Sequence, residues 1–147
     1  MTAVTEILAA GGGTLCFAIF YNMRGHKMIV TGFGGMLTWS VCLLVTGLTG
    51  SQYVAYFVSA MVASAAAEVL ARIFKTPTTT FVVPILIPLI PGGGLFYTMS
   101  AAVERDWATF AARGQETVFL FCMLAAGIMA VSSVRKMTEG IAKLHRR

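Results

Sequence analysis

The chain has 147 residues, of which 57% are apolar and only 12% charged, and its mean hydropathy is +0.79. An ordinary soluble domain carries about 25% charged residues, and no water-soluble core could absorb so much apolar surface, so a soluble globule is excluded. Eleven Lys and Arg against six Asp and Glu leave a net charge of +5, but these charges fall in short segments between apolar runs instead of on one face, which argues for sided membrane loops and against nucleic acid.

Each crossing of a bilayer needs about 20 mostly apolar residues at 1.5 Å rise per residue. Five windows meet that length, near 3–22, 28–47, 52–74, 80–103 and 117–135, which predicts an all-α polytopic helix bundle occupying 1–147 as one membrane domain with a basic tail over 136–147. The first window holds Glu6 and the triplet Gly11, Gly12, Gly13. It lacks the basic start of a secretory signal and is therefore expected to be retained.

Basic residues collect in alternate connections. Arg24 and Lys27 follow the first window, Arg72 and Lys75 the third, and the tail reads RKMTEGIAKLHRR. The expected loop over 104–116 mixes Arg105 and Arg113 with three acids, and the segment over 47–51 has no charge. Short basic loops stay cytoplasmic, so the N-terminus is expected outside and the C-terminus in the cytoplasm. Val134, Met137, Ile141 and Leu144 recur at helical spacing beside Arg135, Lys136, Lys143 and Arg146, which predicts a helix running on from the fifth span to an anionic surface or a partner.

In the third window Ala60 and Ser64, then Ala63, Ala67 and Ala71, recur every four residues. Such small-residue stripes let helix backbones approach closely. Gly32, Gly35 and Met36 in the second window, and Ala126 and Ala130 in the fifth, read the same way. Cys16, Cys42 and Cys122 stand alone without CxxC spacing and are expected to be small buried hydrophobes; His26 and His145 have no partner in the sequence. No metal-ligand set, cofactor motif or paired nucleophile and base emerges, so neither a metal site nor an enzyme is expected.

The stretch FVVPILIPLIPGGGLFYTM, from Phe81 to Met99, carries the most information. Pro84, Pro88 and Pro91 fall at i, i+4 and i+7, each removing a backbone donor and crowding the carbonyl four residues earlier. Gly92, Gly93 and Gly94 follow. The expectation is two half-helices joined by an unwound Pro91–Gly94 hinge at mid-depth, tolerated only if buried in protein or lining a watery cavity. Transporters use such breaks to turn helix ends and bare amides toward solute. Glu68 lies about 9 Å inside the end of the third window, with Arg72 one turn on. An intramembrane acid of this kind marks an ion or proton path, or is neutralised by its neighbour.

These residues also carry a resemblance. EVLARIFKTP, from Glu68 to Pro77, followed by the proline and glycine run through Tyr97, resembles the C-terminal membrane domain of the threonine/serine exporter family, which also occurs as a separate small subunit. Asn22, after an aromatic at the end of the first window, fits the same pattern, as do Lys75 and Pro77, whereas Phe96 stands where relatives would carry a first tyrosine. The resemblance implies export of a small polar metabolite, a threonine/serine-type amino acid or a dicarboxylate such as succinate, across the bacterial inner membrane and driven by protons. It further implies a larger membrane subunit, or further copies of this chain, as partner. The substrate path would run along Pro84, Pro88, Pro91, Gly92, Gly93, Gly94 and Tyr97, with Glu68 and Arg72 in coupling or gating. The alternative is an accessory subunit that stabilises a transporting partner without touching solute.

Overall fold

The structure is a computed structural model that describes residues 2–144, with side chains up to Met137. The helices are α1 (Ala3–Phe20), α2 (His26–Thr49), α3 (Gln52–Phe74), α4 (Thr79–Leu86), α5 (Gly92–Val103) and α6 (Trp107–Leu144), with a 3₁₀ turn, Ile87–Leu89, extending α4. No strand occurs among the described residues.

Three helices stop by the same device. Asn22, Lys75 and Arg105 adopt left-handed backbone with φ of 54°, 50° and 59°. The next amide turns back onto an alanine carbonyl: Met23 donates to Ala18, Thr76 to Ala71 and Asp106 to Ala101, each at 3.0 Å. This is a Schellman end, which satisfies carbonyls that lipid could not. Asn22 and Lys75, expected as family-motif positions, thus do turn chemistry, and Pro77 sits in the exposed turn leading into α4, where its carbonyl accepts from Thr80.

The bundle is held by backbone proximity. A Cβ at Gly32 would stand 2.7 Å from Leu15, one at Gly35 would overlap the Thr14 hydroxyl, and one at Gly11 would stand 2.6 Å from Met36, so α1 and α2 meet through glycine on both sides. Gly34 seats Ile85 of α4 in the same way. In α3 the expected stripe is buried throughout: Ala60, Ala63, Ser64, Ala67 and Ala71. On α6 the expected stripe is displaced, because Ala126 is exposed and Ala130 only half-buried, while the buried Gly127 lies against Phe57 and Ala60. Of the cysteines, Cys42 is buried as expected, but Cys16 and Cys122 face outward.

Helices α3 and α6 run parallel, since Tyr53 meets Phe119, Ala60 meets Gly127 and Glu68 meets Arg135. The intervening α4 and α5 must therefore carry the chain back across the bundle, which makes them one broken span and gives five crossings. The fifth crossing starts earlier than its apolar window. The expected loop over 104–116 shrinks to a turn at 104–106, and α6 is helical from Trp107 to Leu144. Charges lower the hydropathy of that segment but do not disturb its backbone, which is started by Asp106. The Asp106 carboxylate accepts from the amide and hydroxyl of Thr109, as an N-cap does, and these bonds hold its pKa below the ordinary 3.8. The cap therefore supports α6 above the ordinary carboxylate range and is lost as pH falls through the lowered value.

At 38 residues α6 spans about 57 Å, well beyond the roughly 30 Å hydrocarbon layer. The helix expected to run from the fifth span into the basic tail is present to Leu144; side chains after Met137, and His145, Arg146 and Arg147 as a whole, lie outside the described residues.

Two outcomes follow from this packing. Gly127→Val drives a side chain into the Phe57 carbonyl 2.6 Å from the glycine's Cβ position, so it should destabilise the protein by about 1–3 kcal/mol in thermal melts in detergent, whereas Gly12→Ala, with nothing within 4 Å, should be near neutral. Five crossings put Gly50 and the C-terminal end of α6 on opposite faces, so a reporter fused at Gly50 and one fused after the C-terminus should read opposite compartments.

Candidate functional site

The broken span divides its labour. In α4 the chain stays helical through Pro84, which is fully buried with Phe81, Ile85 and Leu89 at the centre of the bundle. Pro88 falls in the first turn of the 3₁₀ segment, where a missing amide does no harm. The chain then straightens at Ile90 (φ −66°, ψ 121°) and Pro91 (φ −74°, ψ 62°), and α5 leaves at 58° to the first half.

The expected hinge is thus corrected. The break is confined to Ile90 and Pro91, and Gly92, Gly93 and Gly94 form the first turn of α5 instead of an unwound segment. The reason is local: Gly92 donates to Ile90 at 2.7 Å and Leu95 to Pro91 at 3.1 Å, which starts the helix at once. The third glycine is needed for approach, not for freedom of φ, because a Cβ at Gly94 would stand 2.5 Å from the Thr117 hydroxyl of α6. Gly92 and Gly93 face open space. As residues of a helical first turn, Gly93 and Gly94 have no helical acceptor for their amides, and the positive end of the α5 dipole lies there.

Beyond the break α5 packs on α6 and leaves α2 and α3, and the gap is a cavity of about 380 Å³. Its floor is Pro88, Pro91 and the three glycines; Tyr97 of α5 stands beside them. Helix α3 contributes Gln52 and Tyr56, α6 contributes Arg113, Glu116 and Thr117, and α2 contributes Trp39. The Trp39 indole donates to the Glu6 carboxylate at 3.4 Å, which ties that wall to α1. Arg113 and Glu116 pair at 3.7 Å and remain about half exposed. A second space, lined by Tyr97, Ser100, Glu104, Asp106 and Arg113, meets the cavity at Tyr97 and Arg113 and leads toward the α5–α6 turn. The arrangement offers bare amides and a guanidinium for a negative group, a carboxylate for a positive one, and hydroxyl and amide groups between.

Of the expected path residues, Pro88, Pro91, Gly92, Gly93, Gly94 and Tyr97 come together here, while Pro84 is sealed in the core. Trp39, Gln52, Tyr56, Arg113, Glu116 and Thr117 were not read as site residues. Arg113 and Glu116 stand three apart, a helix-face spacing legible in the sequence, but the charges around them lower the hydropathy to that of a loop; the α2 and α3 residues carry no local signal.

Near the basic end a second polar group forms. Glu68 pairs with Arg135 of α6 at 3.7 Å, and Arg135 donates to the Thr78 hydroxyl at 3.2 Å. The expected Glu68–Arg72 pair is not the one formed: Arg72 is exposed at the rim of a groove that it shares with Glu68 and Arg135, and Glu68 pairs instead with Arg135 of the neighbouring helix. An intramembrane acid gains more from a partner across a packed interface than from one that can reach water along its own helix. Among the described residues no group of three His, Cys, Asp or Glu converges. Arg135→Ala should therefore destabilise by about 1–3 kcal/mol by stripping the half-buried Glu68 of its partner, and Arg72→Ala by no more than about 0.5 kcal/mol, in paired melts.

Comparison with known proteins agrees with this architecture. The family model described as threonine/serine exporter, ThrE, matches residues 6–134, which takes in all five crossings, the break and the Glu68–Arg72 segment. No curated protein and no solved structure matches the chain significantly. With a family match over most of its length and a bundle of apolar helices around a broken span, the chain belongs to the threonine/serine exporter family of membrane transporters.

Proposed function

We propose that this chain is a subunit of a proton-coupled secondary transporter that exports a threonine/serine-type amino acid across the bacterial inner membrane, working with a larger membrane subunit or further copies of itself. In this reading the N-terminus lies outside and the basic tail in the cytoplasm. The observation that carries the proposal is the cavity at the break, which the first turn of α5 shares with the adjacent Arg113 and Glu116 of α6. A zwitterion meets both signs of charge there, its carboxylate on the amides and guanidinium and its ammonium on the carboxylate. A dicarboxylate such as succinate would set its second anion against Glu116, so the amino acid is favoured. Glu68, held by Arg135 near the basic end, serves as the coupling or gating group, since a protonated Glu68 would release the guanidinium.

Counterflow in liposomes, with the chain purified alone and with its membrane partner, tests the reading: L-threonine and L-serine should exchange and succinate poorly. Gly93 has open space around it, so its variants should fold and assemble. Gly93→Ala should weaken solute binding about tenfold and Gly93→Val about fiftyfold or more, within the 1–3 kcal/mol of an added side chain in an occupied space. Normal assembly with unchanged affinity in both variants would remove the cavity from the transport path and leave an accessory role. Glu68→Gln should slow proton-driven export and flatten its pH dependence; a normal rate and pH profile would rule out coupling through Glu68.

A further inference from the structure

A second cavity, of about 200 Å³, lies between α3, α4 and α6 on the basic-end side of the break. It is lined by Ser64 and Glu68 of α3, Thr78 and Thr79 at the start of α4, and Ser132 and Arg135 of α6. Its parts repeat those of the cavity at the break. Each has the start of one half of the broken span, an Arg and a Glu, and one hydroxyl from α6. Thr117 and Ser132, the α6 hydroxyls of the two, are fifteen residues and so about 22 Å apart.

Ser64 marks this space as more than a packing gap. Several hydroxyls within these spans are satisfied by their own helix, since Thr14, Thr38, Thr98 and Thr117 each donate to the carbonyl four residues back, whereas Ser59 and Ser64 of α3 are not, and of these two Ser64 lines this cavity. The Ser64 hydroxyl, on a side chain only 3% exposed, has no partner among the described residues, although it could turn to the same kind of acceptor. A buried hydroxyl left unpaired beside a carboxylate and a guanidinium is destabilising unless something polar enters the space.

We infer that this cavity is a second solute site, for a zwitterionic amino acid, on the opposite side of the broken helix from the first. The Glu68–Arg135 pair closes on itself at a loose 3.7 Å and opens to take the solute, whose carboxylate replaces Glu68 on Arg135 while its ammonium replaces Arg135 on Glu68. Ser64 and Ser132 then bond the polar groups of the solute. The solute would pass between two like-built stations with the buried Pro84, Ile85 and Leu89 between them. This inference rests on the reading of the chain as an amino-acid exporter.

Equilibrium dialysis of radiolabelled L-serine against the full-length chain, in the assembly isolated from membranes, separates the two. Wild type should bind two equivalents per chain. Gly93→Val should leave one, Ser64→Ala should weaken the other at least fivefold, and the pair of substitutions should abolish binding. Ser64→Ala only removes an oxygen and should fold; Glu68→Gln, of unchanged size, is the second probe of the same site and should act in the same sense. One equivalent that Gly93→Val abolishes and both Ser64→Ala and Glu68→Gln leave intact overturns the second site while the exporter reading stands. One equivalent lost in Ser64→Ala but kept in Gly93→Val supports the second site and removes the cavity at the break. No serine bound by wild type removes both.

Discussion

Lipid supplies neither a hydrogen-bond partner nor a hydrophobic reason for helices to associate, and the organisation of this chain follows from that constraint. Many of its large apolar side chains point outward, among them Phe20, Leu48, Phe96 and Val103, all exposed. Outside the cluster of Phe81, Ile85 and Leu89, its interior is built largely from alanine, glycine, serine and threonine. Backbones approach closely where Gly11, Gly32, Gly34, Gly35 and Gly127 remove the side chain that would hold them apart. Dispersion over these close contacts takes the place of the hydrophobic drive that water provides elsewhere.

The same constraint explains why the broken span is treated differently in its two halves. Prolines in α4 free carbonyls, and that half is the most deeply packed part of the bundle, with Phe81, Pro84, Ile85 and Leu89 fully buried. The glycine half leans away onto α6, and Gly94 and Thr117 allow the close approach there. Because α5 leaves at 58°, a polar gap opens toward α2 and α3 where the chain has bare amides to present. The functional reading depends on this geometry: a straight span would have closed the gap.

Charge inside the bundle follows a related rule. Glu6 accepts from Trp39 of the next helix, and Glu68 takes Arg135 of α6, so both acids are answered from across an interface, whereas the more exposed Glu116 pairs with Arg113 on its own helix. Such contacts fix helix register as well as satisfying the carboxylate, and Thr78 adds α4 to the group at the basic end. One side chain, Arg135, thereby touches groups on both other helices that frame the second cavity. A change at Glu68 is felt at once by three elements of the bundle.

Much of this was determined by the sequence itself. Apolar length alone yields five crossings, the four-residue recurrence from Ala60 to Ala71 names the buried face of α3, and the proline and glycine run from Pro84 to Gly94 locates the break within a few residues. These are local properties, in which backbone chemistry and spacing suffice. Tertiary structure decided the rest, because it depends on which helices become neighbours and in which direction they run. Helix α6 begins at Trp107 because the Asp106 cap outweighs a polar segment; Gly127 displaces Ala126 at the interface; Glu68 chooses Arg135, sixty-seven residues away, over Arg72. The walls of the cavity at the break come from Trp39, Tyr56 and Arg113 on three helices. Only the parallel alignment of α3 and α6 brings those side chains level with the break, and nothing in the local pattern of any one helix encodes the height at which it meets another.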